Sequence, residues 1–194
     1  MIRFALIATL LVLSSSSIAE NTDFSLQTTG AKQVVQFVSD APLERIVGRA
    51  DGISGKISLN LSNLTDGAAG TVTVDLKTLD TGLSLRNQHM RENHLHTAEH
   101  PDAVFTVTSI ASADPSDISG GGVAATLVRG QLDLHGVKQE YEILGSLSFD
   151  KTDGTLRAQY IWPVQLKDHQ IPRPAFLFMK LSDTQEITID LQFH

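Results

Sequence analysis

Apolar and polar residues alternate one for one along most of this chain, with turn residues between the alternating stretches. Ile53, Ile57, Leu59 and Leu61 face one way while Ser54, Lys56, Ser58 and Asn60 face the other. A period of two is the mark of a half-buried antiparallel strand. Val72, Val74 and Leu76 repeat it against Thr73, Asp75 and Lys77, after a turn at Asp66-Gly67 and Gly70. The longest run carries Leu156, Ala158, Tyr160, Trp162, Val164 and Leu166 in one phase, and Ile187, Ile189, Leu191 and Phe193 close the chain. Strands are predicted over 24–27, 34–39, 46–50, 53–61, 71–77, 103–111, 140–149, 156–166 and 187–193. Between Val123 and Leu134 the phase changes: Val123, Ala125 and Leu127 share one face, Leu132 and Leu134 the other, which predicts a bulge near Gly130. About eight or nine strands joined by short turns form a sandwich or a barrel. Closure removes exposed edges, so an eight-stranded antiparallel up-and-down barrel is the expected fold.

One stretch breaks the alternation. From Thr81 to Phe105, Leu83, Leu85, Met90, Leu95 and Ala98 make a thin apolar stripe among Arg86, Arg91, Glu92 and Glu99. That spacing predicts one short surface-lying helix. Ser84 is the candidate N-cap. Pro101 forces His100 towards extended backbone, so the helix is expected to stop near Thr97 to Glu99, with a strand from Ala103. The helix is expected to cover one end of the barrel.

Composition narrows the function. Arg3, an apolar run from Phe4 to Leu13, four serines and Ile18-Ala19 predict a secretory signal over 1–19, leaving a single domain over 20–194 in the periplasm. Without Arg3 the formal balance is 14 − 22 = −8, and no Lys/Arg run is present. A nucleic-acid partner is therefore disfavoured. No later segment reaches the roughly 20 apolar residues of a membrane helix. The chain has no cysteine, so it has neither disulfides nor a thiol nucleophile. G-x-S-x-G, H-E-x-x-H and glycine-rich phosphate loops are absent, and no enzyme activity or cofactor is expected.

Several local motifs follow one another in a specific order: Val47-Gly48 and Ile53-Ser54-Gly55 with Ile57; Val74-Asp75-Leu76 and Leu79-Asp80-Thr81-Gly82; Arg86, His89-Met90-Arg91 and Leu95; His100-Pro101 and Phe105; and Gly130 to Lys138. In that order they resemble the YceI family. The resemblance implies an exported, lipocalin-like barrel that binds polyisoprenoids and related long-chain lipids. The chain departs from the family's pattern at His94, His96 and His100, where aromatic residues are usual, and over Ile171 to Phe176.

A prenyl or fatty chain is held by apolar area removed from water, roughly 25 cal/mol per Å². Phe37, Val74, Leu76, Phe105, Leu127, Phe149, Tyr160 and Trp162 are the candidate tunnel wall. Leu83, Leu85, Met90 and Leu95 are the candidate lid, with Ile171, Phe176 and Phe178 near the far wall. The same side chains would equally fill a closed core, giving a structural barrel with no ligand. His135 and Arg173 are the candidates for a polar head group. A rival reading makes His89, His96 and His100, close to one stripe on a continuous helix, metal ligands. Pro101 speaks against it, since it ends the helix before His100 joins that stripe. The expected partner is a long-chain isoprenoid, quinone or fatty amphiphile, and a homodimer is left open.

Overall fold

The computed structural model describes residues 20–27, 33–40, 44–173, 175–176 and 179–194, without side chains over 174–180. The predicted signal at 1–19, Phe178 and the Phe176 side chain lie outside the described residues. Ten strands make one antiparallel sheet: β1 (Thr22–Ser25), β2 (Val34–Asp40), β3 (Arg45–Ala50), β4 (Ile53–Leu59), β5 (Ala69–Asp75), β6 (Asp102–Asp114), β7 (Gly122–Leu134), β8 (Val137–Asp150), β9 (Thr155–Gln165) and β12 (Thr184–Phe193). The short hairpin of β10 (Ala175–Phe176) and β11 (Met179–Lys180) stands apart.

The order across the sheet is β1-β4-β5-β6-β7-β8-β9-β12-β2-β3. Ten strands curled into a half-barrel thus replace the expected eight-stranded closed barrel. Only β4 to β9 run up and down in sequence; β12 enters between β9 and β2 and divides the N-terminal strands between the two edges. Those edges are tacked down by isolated bridges, Leu26 with Phe193 and Arg49 with Asp80. A second departure from closure lies between β8 and β9. Their pairing begins at Asp150–Thr155 and ends at Gly145–Tyr160. Beyond it, the first half of β8 pairs with β7 alone and the second half of β9 with β12 alone. Pro163, which has no N–H to give, falls in this one-sided stretch.

Inward side chains follow the predicted alternation wherever pairing is regular. On β9 Leu156, Ala158, Tyr160, Trp162 and Val164 are buried, and on β12 Leu191 and Phe193 are fully so. The bulge near Gly130 is a correction. β7 keeps one phase throughout, burying Ala124, Thr126, Val128, Gly130 and Leu132. The irregularity belongs to β6, where Val107–Gly130 is followed by Ser109–Arg129, and Ile110–Val128 by Ser112–Leu127. Thr108 and Ala111 are the extra residues, and they let both halves of β6 turn their apolar side chains inward. Gly130 is small for another reason: a Cβ there would lie 2.5 Å from the Phe105 ring. Leu127 consequently points out of the barrel.

The helical stretch is shorter than expected. An α-helix, α1 (Ser84–His89), runs into a single π turn over Met90–His94, closed by the Leu95 N–H donating to the Met90 carbonyl. Leu83, not Ser84, occupies the N-cap, with no side-chain capping bond. His96 then takes a left-handed φ of 46° and ends the helix before Thr97. Two 3₁₀ turns, Leu76–Thr78 and Leu166–His169, flank the same end of the sheet.

Candidate functional site

The interior is not filled. A cavity of about 700 Å³ lies between the inner face of the sheet and the helical stretch, within the usual range of ligand pockets. Of the predicted wall, Phe37, Val74, Leu76, Phe105, Tyr160 and Trp162 line it, and so do Ile171 and the lid residues Leu83, Leu85, Met90 and Leu95. Leu83 and Leu85 are 56% and 65% exposed, so they form the rim of the mouth. Phe105 and Trp162 meet at 6.1 Å between ring centroids, and Tyr160 lies flat on Gly145, where a Cβ would come within 2.2 Å of its ring.

Leu127 and Phe149 do not line the cavity. Leu127 sits on the outer face of β7, as its pairing with the exposed Leu144 requires. Phe149 is in the predicted phase but lies at the end of β8, where it packs edge-on against Phe24 at 6.1 Å and closes the far end of the core. Sequence reasoning passed over Ile187, Ile189, Leu191 and Phe193 as lining residues, although their phase along β12 was legible.

The lid is pinned by a polar cluster. Asn87, buried, accepts from the Thr81 N–H at 2.9 Å and the Thr81 hydroxyl at 2.7 Å, and donates to Asp80 at 2.6 Å. The Gly82 N–H, and after it the Asn87 amide, hold the Asp80 carboxyl below its usual range. Arg86 donates to the Thr81 hydroxyl and carbonyl and, at 2.6 Å, to Glu44. The Asp80-Thr81-Gly82 motif and Arg86 were visible in the sequence. Asn87 was not singled out, because only the folded turn shows that it reaches back seven residues.

Neither head-group candidate reaches the cavity. Arg173 donates through Nε to the Leu181 carbonyl. His135 opens the two-residue β7–β8 turn with φ 57°, followed by Gly136 at 73°, the pattern of a type I′ hairpin. Its Nδ1 contacts the His169 carbonyl at 3.1 Å, and a carbonyl only accepts, so Nδ1 carries the proton. In the neutral ring Nε2 then accepts from His96 Nδ1 at 2.7 Å. His100 packs edge-on at 4.7 Å between centroids. Burial, then the His100 and His96 imidazoles, lower the His135 pKa against the opposing pull of the His169 carbonyl and Glu99. His169 itself is fully buried, hydrogen-bonded to the Val137 carbonyl and the Tyr141 hydroxyl in the gap where β8 leaves β9.

The three histidines proposed as metal ligands part company. His89 lines the cavity, whereas His96 and His100 gather around His135. Among the described residues no group of three His, Cys, Asp or Glu is arranged to hold a metal ion. The break at His96 is the reason, since the continuous helix needed for the stripe does not exist.

Among the described residues the cavity wall carries no Asp, Glu or Lys; its titratable groups there are Arg86, His89, His94 and Tyr160. Burial pushes the Tyr160 hydroxyl up to about 12, and that hydroxyl is shared with Thr126 at 2.6 Å. Ser39 Oγ and Trp162 Nε1 are buried without a partner among the described residues. Such a wall offers an apolar chain a large contact area.

An antiparallel half-barrel with an apolar interior under a helical lid is the architecture of a ligand-pocket β protein. Residues 25–193 match the YceI-like domain, and the chain belongs to that family. BcnA of Burkholderia cenocepacia shares the fold at a TM-score of 0.71 and 16% identity, over 86% of this chain and 98% of its own. A polyisoprenoid binding domain from Saccharophagus degradans matches at 0.67 and 19%, over 88% and 97%. The Campylobacter jejuni YCEI protein matches at 0.62 and 14%, over 84% and 90%. No curated protein matches the chain. No helix among the described residues is long and apolar enough to cross a membrane.

Proposed function

We propose that the chain is an exported binding protein that holds one long-chain amphiphile, a polyisoprenoid, a quinone or a related lipid, with its tail inside the half-barrel. The cavity carries this reading: about 700 Å³ lined mostly by apolar side chains. Burying an extended chain there is favourable at roughly 25 cal/mol per Å² and needs no chemistry from the wall. Similarity to a polyisoprenoid binding domain supports the same class of ligand. The N-terminal signal pattern over 1–19 supports export to the periplasm, where such a protein would carry, store or sequester its lipid.

Native mass spectrometry of protein purified from its own source without detergent, followed by organic extraction, tests the reading. One bound species of prenyl or acyl mass is the expected result. A bare polypeptide mass, with no lipid taken up on incubation with prenyl and acyl chains, would reject it.

A further inference from the structure

The lid brings to the cavity a pair of side chains that a regular helix would keep apart. Residues five apart on an α-helix differ by about 140° around the axis. The π turn over Met90–His94 has more residues per turn, and with it both His89 and His94 line the cavity mouth. π turns of this kind occur frequently at functional sites. His94 is tied through Nδ1 to the Pro172 carbonyl at 2.9 Å, so Nδ1 bears the proton, and Nε2 has no partner among the described residues. His89 makes no hydrogen bond among the described residues. Arg86, the guanidinium at the mouth, is already answered by Glu44 at 2.6 Å. In a chain with 22 acidic residues, none lines the cavity.

We infer that the ligand is an acidic single-chain amphiphile, a long-chain carboxylate or a prenyl phosphate, whose anionic head sits at His89 and His94. The inference rests on the tail-in-cavity reading and adds the chemistry of the head. A cationic or zwitterionic head would meet two imidazoles and a guanidinium with no carboxylate free to pair with it. A neutral hydroxyl can donate to one imidazole and accept from the other, but both are hydrogen bonds between neutral groups. An anion engages both once a proton is taken up, because hydrogen bonds between ionised partners are about twice as strong as neutral ones. Burial lowers the pKa of His94 against the pull of the Pro172 carbonyl, with the His96 and His89 rings adding to the lowering, so the His94 proton arrives with the ligand. The chain's overall negative charge acts from outside the mouth and is screened beyond about 10 Å.

The test compares hexadecanoate, hexadecyl phosphate and hexadecanol at neutral pH, each displacing a neutral apolar dye from the intact protein. Calorimetry in two buffers of different ionisation enthalpy measures the protons taken up. The acids are expected to bind roughly tenfold tighter than the alcohol, with uptake of about one proton for the acids alone. In the double variant H89F/H94F, acid affinity should fall to that of the alcohol. A stronger effect with the phosphate points to a prenyl phosphate, and with the carboxylate to a fatty acid. Equal affinities for acid and alcohol, acid binding without proton uptake, or an acid preference that survives H89F/H94F would overturn the inference while leaving the cavity reading intact. Failure of all three chains to displace the dye would overturn both.

Discussion

Leu127 and Leu132 are both leucines on β7, five residues apart, yet they face opposite solvents. Leu132 is 8% exposed and lines the cavity, whereas Leu127 pairs with the exposed Leu144 on the outer face. Leu132→Ala should destabilise the fold by about 2–5 kcal/mol, as large-to-small core changes do, and should weaken lipid uptake. Leu127→Ala should cost below about 1 kcal/mol and leave uptake unchanged. Chemical denaturation with a lipid-displacement assay checks the pair, and comparable losses from the two substitutions would contradict the assigned phase. Small residues are set by the same inward geometry. Gly145 gives its side-chain volume to the Tyr160 ring, and Gly145→Ala must move both that ring and the Gln159 carbonyl, which a Cβ would meet at 2.2 and 2.4 Å.

The lid is an element held at its two ends by different chemistry. Asn87, Thr81 and Asp80 pin the start of α1 through hydrogen bonds that persist across the neutral range. The far end is latched by His96 on His135, with His100 and Glu99 from the lid side and the His169 carbonyl from beneath. Asp133 and Lys138 pair across the hairpin beside this turn, and His94 is bonded to Pro172. His135 and His94 both have folded pKa values below the ordinary 6.5, chiefly through burial. The unfolded or opened state therefore binds more protons than the closed one, and stability rises with pH. The latch is at full strength above the ordinary histidine value and weakens as pH falls from about 6.5. Amide protection factors over residues 84–100, which divide out the base-catalysed intrinsic rate, should be lower at pH 5.5 than at pH 7.5. His135→Asn keeps a residue that tolerates positive φ but removes the titration, and it should flatten that dependence. An undiminished pH dependence in the variant would exclude His135 as its source.

For the whole molecule, β12 is the strand on which cohesion depends. It pairs with β9 on one side and β2 on the other, and Phe193 bridges to Leu26 beside β1. The β2–β3 edge therefore reaches the β4–β9 meander through it or through the single Arg49–Asp80 bridge, whereas β1 pairs directly with β4. A chain ending before Thr184 would detach the β2–β3 hairpin from β9 and remove the wall formed by Ile187, Ile189, Leu191 and Phe193. Such a truncation should lack a cooperative thermal transition by circular dichroism. A truncated protein that melted in one sharp step would show that β2 and β3 are dispensable.

What the sequence determined by itself is the set of strands and, for most of them, the face each residue takes. Period-two alternation is a local property, and at Ile57, Val74, Tyr160 or Leu191 the neighbours alone reveal the inward side. It also located the lid, because Pro101 and the helical spacing before it are local signals too. The tertiary structure decided the rest. Only strand pairing shows that the extra residues are Thr108 and Ala111 of β6, not a bulge at Gly130, and hence that Leu127 turns outward. Only the sheet order shows a half-barrel of ten strands, since closure depends on which distant strands meet. The histidines divide for the same reason. A left-handed His96 and a π turn send His96 and His100 to the β7–β8 hairpin and keep His89 and His94 at the cavity mouth, a division set by long-range contacts that no periodicity records.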